Sequence, residues 1–534
     1  MRKRNLRNLR NNERGIALLI VLMALFLIAA IGMGMIYMSN TETAVNQNYR
    51  DTQQAFFTMR GGLEEMRDRM RTNGPPPTIT VPAVMPSSGT AGSIVYILNP
   101  AASETVDPRS ATNKYFDDEF CHETFTTLTL TNPGTGVPCG AAGAPPSGAV
   151  TTVASVMPYT GTSSSLKYKW VRLTLKQNNT FPSAPVAPID GTHPAASQVC
   201  WDTANSKEVV LYALGSTYTN CADARAHGLM VQPVYIITAL AITPQGSRRI
   251  GQYETAALSI TPPDSGLSLD GPGSGTNFNP ASSANGTVDG IDGSGPAPPA
   301  VPNCSTDPTA MVPAIGASDK VDRDLMANEI LGPPDRTGNY LGTAPTTTGA
   351  NPTPSVVDMG SDVTGATNQL TNWSTPAQLN AMVSQIANAA DYTYNCGMAG
   401  TGTPCSGTYG SVAHPQITYV NGDVTLSGGA GVLVVTGNLI ISGGMQFDGL
   451  ILVIGQGNMK VNGGGGTGSA IYGAVFVAQT NSTTFPYAQL PTGLGQPQFK
   501  WNGGGNAGIY YNSCWANYGN GLHYMVVASR EEMY

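Results

Sequence analysis

The chain of 534 residues is long enough for two or three domains. Only 11 % of the residues are charged, and 34 acidic side chains against 27 Lys and Arg give a formal charge of −7, so the basic stripe of a nucleic-acid binder is missing and no nucleic-acid partner is expected. With 41 % hydrophobic residues, 63 Gly and 39 Pro, the composition is not that of a disordered chain; it suits Gly- and Thr-rich β structure outside the cell.

The first predicted element covers residues 16–38, a run of 23 residues without a charge. At ~1.5 Å per residue such a helix spans ~35 Å, enough for the ~30 Å hydrocarbon core of a bilayer. Before it Arg2, Lys3, Arg4, Arg7, Arg10 and Arg14 outnumber Glu13, which holds the N-terminus in the cytoplasm and sends the rest outward. A cleaved signal peptide would have a shorter apolar core with a small-residue site behind it, and a core helix of this length would keep a polar face. Residues 39–71 contain no proline, and Ala44, Ala55, Met59, Leu63, Met66 and Met70 belong to a weak apolar stripe at steps of three and four. One helix over 16–71 is expected, apolar first and amphipathic after, ended by Asn73-Gly74-Pro75. Gly32, Gly34, Gly61 and Gly62 are its weak points.

Here the residues resemble a family. A basic leader ending in Gly15, with an apolar helix running into an amphipathic one, is similar to type IV pilins. Arg14-Gly15-Ile16-Ala17, then Asn48-Tyr49-Arg50-Asp51, Gln54-Ala55-Phe56 and Gly62-Leu63-Glu64, resemble the N-terminal region of PilX-type minor pilins. The resemblance implies a leader over 1–15, cut by a prepilin peptidase between Gly15 and Ile16 with methylation of the new N-terminus. It implies a helix over 16–72 that contacts other minor pilins and the major pilin. The protein would sit in the bacterial inner membrane before assembly and in the extracellular pilus, or a type II secretion pseudopilus, afterwards. Where major pilins carry a Glu that pairs with a neighbour's N-terminus, this chain has Ile20.

A pilin-like β domain is expected over 73–261. The alternating stretches 166–175 and 207–214 read as strands, and 234–242 with 248–260 flank the turn Pro244-Gln245-Gly246-Ser247 as a hairpin. Residues 262–303 read as a Gly/Pro/Ser-rich linker or as the first rungs of a β-solenoid. There Asp289 and Asp292 are weak calcium candidates, set against turn residues capping their own backbone. A helical insertion is expected over 304–410, with helices at 319–331 and behind the capping box Thr375-Pro376-Ala377-Gln378.

The segment 411–534 reads as a β-solenoid-like domain. Val420-Asn421-Gly422-Asp423 is echoed by Val435-Thr436-Gly437-Asn438 and by Gln456-Gly457-Asn458, with buried-looking runs at 432–435 and 450–454 between them. Residues 480–534, rich in aromatics, are expected to cap its open end. This region also resembles the C-terminal domain of long PilX-type proteins. The fold class is thus α+β, mostly β: a long helix, an antiparallel sheet and a solenoid.

Eight cysteines in an exported chain suggest disulfides. Closeness pairs Cys121 with Cys139, Cys200 with Cys221 and Cys396 with Cys405, leaving Cys304 with Cys514, out of 105 possible pairings. Zinc would want paired C-x2-4-C spacings, and none occurs. From 406 to the end the only acids are Asp423, Asp448, Glu531 and Glu532, too few and too scattered for a lyase or hydrolase site. No enzyme activity and no cofactor are therefore expected. Two functions remain: a minor pilin that primes or tips a filament, with a surface domain facing a tip adhesin or surface ligand, or a membrane-anchored adhesin outside any filament.

Overall fold

The computed structural model describes residues 5–70, 94–101, 104–110, 112–117, 149–152, 168–178, 190–194, 197–203, 205–215, 217–226, 229, 231–258, 260, 264–281, 286–295, 300, 304–343, 353–359, 375–398, 402–462, 469–502, 507–519 and 523–533. It is α+β and mostly β: a long N-terminal helix, a mainly antiparallel sheet and a curled parallel sheet.

The helix runs unbroken over Asn5–Arg69. Its amphipathic half lies on the antiparallel sheet because Ala55, Met59, Leu63, Met66 and Met70 recur on one face and are buried there. They meet Val171, Leu173, Tyr235, Ile237 and Ala239. Two glycines make that approach possible. A Cβ on Gly62 would come within 3.1 Å of the Tyr168 ring, and one on Gly251 within 2.1 Å of Met59 Sδ. Gly62 is therefore a packing residue rather than a weak point.

The sheet centres on the expected hairpin, Val231–Ile242 against Arg248–Ala257, with Tyr168–Leu175 on the other side of the first strand. Val95–Leu98 extends it. The segment read as one strand over 207–214 divides into the strand Lys207–Val210 and a helical turn, Leu211–Leu214. Beneath the sheet, Arg172 pairs with Asp117, which also accepts from Tyr96 Oη at 2.8 Å, while Lys176 Nζ binds Glu208 and Glu254, each at 2.7 Å. Buried charge here is matched by buried counter-charge.

The parallel sheet winds as a solenoid. On its main face the rungs stack in the order Tyr392–Asn395, Gln416–Asn421, Val424–Val435, Gln446–Gly455, Ala470–Gln479, Leu267–Asp270, Ile315–Ala317 and Val356–Asp358. Leu433, Ile451, Val475, Leu267, Ile315 and Val356 follow one another in register and fill the interior. The opposite side of the same rungs is also buried: Val432, Leu450, Leu452 and Phe476 lie under Leu379, Val383 and Ile386 of the helix Pro376–Ala389. Burial on both sides is why these rungs are continuous apolar runs.

Spatial order differs from chain order. The chain enters in mid-stack at Leu267, proceeds to one end at Val356–Asp358, reappears at the other end at Tyr392–Asn395, and winds back until Ala470–Gln479 covers the free side of the entry rung. Of the two readings of 262–303, linker or first rungs, the described residues take the second, with rungs at Leu267–Asp270 and Gly286–Asp289. Two expectations, for 304–410 and for 480–534, are corrected by this order. The span 304–410 holds the helices Lys320–Leu331 and Pro376–Ala389 but also rungs from both ends of the stack. Residues 480–534 do not simply cap: Gln498–Asn502 and Ala507–Tyr511 are further rungs. Tyr524–Met533 leaves the solenoid and pairs antiparallel with Arg248–Ala257 in the first sheet.

Candidate functional site

The most distinctive surface is the first half of the long helix. Ile16, Leu19, Ile20, Phe26, Ile28, Met33 and Met38 are each exposed, and no core among the described residues takes up this stretch. Ile16–Arg69 is long and apolar enough to cross a membrane. Gly32 and Gly34 leave the helix intact, with no other group within 4 Å of the Cβ either would carry. Where the polar half begins, Thr41 Oγ1 donates to the Tyr37 carbonyl at 2.9 Å and Thr43 Oγ1 to that of Ser39 at 2.8 Å. Each hydroxyl is thereby satisfied within the helix, which suits a segment leaving an apolar surround. Gly15 and Ile16, the expected processing pair, lie inside the helix, and Ile20 exposes an aliphatic side chain.

At one end of the rung stack, Tyr392–Asn395 pairs among the described residues with Gln416–Asn421 alone. Tyr392 is exposed there, Tyr394 packs on Tyr409 with ring centroids 5.2 Å apart, and the disulfide of Cys396 and Cys405 ties the last two coils together. Disulfides also join Cys200 to Cys221 and Cys304 to Cys514, the latter fixing the entry segment to the end of the final coil. Two of these pairings follow the closeness in sequence and Cys304–Cys514 is the one left by elimination; Cys121 and Cys139 lie outside the described residues.

The two calcium candidates hold the chain together instead of converging. Asp289 Oδ1 accepts from the Ile291 amide at 2.9 Å. Asp292 accepts from the amides of Asp307 and Ser513 and from Ser513 Oγ, between 2.7 and 3.0 Å. Among the described residues no group of acidic, His or Cys side chains has the arrangement of a metal site. The solenoid's acids are likewise placed structurally. Asp423 caps a corner by accepting from the Asn438 amide at 2.7 Å, and Glu531 faces Arg249 at 3.4 Å. Asp448 is buried beside Gln446, and burial lifts its pKa to about 6.

Sequence reasoning missed a cavity of about 430 Å³ walled by Asn279, Glu329, Arg336 and Trp501, because those residues come from three distant stretches of chain. No family model, curated protein or solved structure matches the chain.

Proposed function

We propose that this chain is a minor pilin of a type IV pilus or related pseudopilus, integrated at or near the filament tip. There it primes assembly and presents the solenoid outward. The observation that carries the reading is the helix Ile16–Arg69, whose first half stands free of the body with apolar side chains all round while its second half is seated on an antiparallel sheet. Such a helix fits a bilayer before assembly and a bundle of neighbouring helices, from other minor pilins and the major pilin, afterwards.

Ile20 and the size of the body favour the tip. An aliphatic side chain cannot make the carboxylate-to-amine contact expected between bulk subunits. Helices packed ~8–10 Å apart would also crowd solenoids carried by every subunit. A terminal subunit has no neighbour above it and needs neither the Glu nor the space.

Mass spectrometry of the exported protein should give an N-terminus at Ile16, N-methylated. Intact Met1 at the membrane would instead leave the anchored-adhesin reading. Gold labelling should mark filament ends, and deletion should cut filament number; labels spaced evenly along the shaft would defeat the tip assignment.

A further inference from the structure

The cavity lies where the solenoid's second face runs out. The short strand Phe278–Asn279 follows Gln498–Asn502, and the turn after the helix Lys320–Leu331 closes the side. Arg336 forms its wall and is 8 % exposed. Its Nη1 donates to the Glu329 carbonyl at 3.2 Å, its Nε has no acceptor, and among the described residues no carboxylate pairs with it. Beside it the Trp501 indole N–H is buried and directed at the buried Tyr340 hydroxyl, and among the described residues neither makes a hydrogen bond of ordinary geometry; of the two, Trp501 lines the cavity. The buried cations Arg69, Arg172 and Lys176 each face a carboxylate, so a buried guanidinium without one, next to the Trp501 indole N–H at a cavity wall, is an exception that a bound acceptor would resolve.

The rim narrows the chemistry. A guanidinium fork takes a carboxylate through two parallel hydrogen bonds. Asn279 and Asn502, both exposed at the mouth, carry amides that can give and accept hydrogen bonds with hydroxyls. Glu329 is exposed at the same mouth, and its carboxylate accepts from hydroxyls while repelling a phosphate or sulfate dianion more strongly than a singly charged carboxylate. Trp501 and Pro333 add apolar wall for a ring's C–H groups. The volume falls in the range of small-molecule sites.

We propose that this cavity binds a carboxylate-bearing sugar, the hexuronate unit of an acidic polysaccharide, with its carboxylate on Arg336 and its hydroxyls on Asn279, Asn502 and Glu329. The inference goes beyond the filament reading and stands without it.

The test is titration calorimetry of the full chain in detergent with sodium glucuronate, glucose and inorganic phosphate. Glucuronate should bind at least about tenfold more tightly than either of the others, and Arg336→Lys should weaken it by about tenfold or more through loss of the two-pronged contact. Because Arg336 is buried, the exposed variant Asn502→Ala provides an independent reading. It should weaken glucuronate about threefold or more with an unchanged melting temperature. The proposal is overturned by equal binding of glucose, by phosphate binding as tightly as glucuronate, by no binding up to ~50 mM glucuronate, or by unchanged affinity in Asn502→Ala.

Discussion

Single residues carry the solenoid most visibly at a column of glycines. Gly431, Gly449 and Gly473 stack in register on successive rungs with φ of 114°, 154° and 144°. A Cβ on Gly449 would lie 1.8 Å from the Gly431 carbonyl oxygen, and one on Gly473 1.9 Å from that of Gly449. Neither backbone can move without displacing its neighbours. Gly449→Ala should therefore cost ~3 kcal/mol or more, whereas Gly493→Ala should cost ~1 kcal/mol. Gly493 has φ 69° but nothing within 4 Å of its Cβ. Denaturant melts of the two variants measure this, and equal losses would refute it. A second residue sets a pH dependence. Asp270 is 4 % exposed with Oδ2 unpartnered, and burial alone raises its pKa to about 8. The folded carboxyl then keeps its proton above the unfolded value, so its contribution is full below ~pH 4 and is lost as pH rises towards about 8. Asp270→Asn should flatten that slope and be the more stable protein at pH 8, on the order of 1–3 kcal/mol. Parallel stability–pH curves for the two proteins would contradict it.

At the scale of elements, what could be read from the sequence was whatever local periodicity encodes. The hairpin around Gly246 and the helices Lys320–Leu331 and Pro376–Ala389 form where the pattern puts them, while the long helix begins at Asn5 instead of 16. Thr375 accepts from the Gln378 amide as its capping box implies, and Asp319 is a second cap that the pattern did not single out. Corners such as Gly422-Asp423 and Gly437-Asn438 marked the coils because each coil repeats the same chemistry. Stacking order was hidden, since it is set by side-chain fit between segments far apart in sequence: Leu267 meets Val475 on one side and Ile315 on the other. The stretch 262–303 could be read as linker or as rungs because its rungs are short, Leu267–Asp270 and Gly286–Asp289, so corner residues dominate its composition. The cavity was invisible for the same reason as the stacking order, with Asn279, Arg336 and Trp501 each unremarkable in its own segment.

Over the whole molecule, the return of Tyr524–Met533 to the first sheet makes the two β modules depend on each other. This strand covers the edge of Arg248–Ala257, buries Tyr524 and Met525, sets Tyr524 against Tyr235 with centroids 6.1 Å apart, and places Glu531 by Arg249. The Leu258 amide, where the chain leaves for the solenoid, donates to the His523 carbonyl at 2.8 Å, so outgoing and returning strands are tied at the crossing. A third link runs from Gln385, on the helix covering the solenoid, to the Thr203 carbonyl at 3.1 Å and Ser206 Oγ at 2.6 Å on the first sheet's side. No described solenoid rung pairs with Tyr524–Met533, so the solenoid would lose only the Met525 packing on its outer cluster and the His523–Asp391 contact at 3.1 Å, and Cys304–Cys514 stays within the remainder. The first sheet, by contrast, loses a paired edge and exposes a long strand to edge-to-edge association. Deleting 520–534 should therefore split the unfolding of the full chain into two transitions. The transition of the helix-and-sheet module should fall by at least ~5 °C and become concentration-dependent, while that of the solenoid stays close to its former position. Differential scanning calorimetry at two protein concentrations distinguishes the cases. A truncated chain that melts in one transition at the full-length temperature would show that the sheet stands without its last strand.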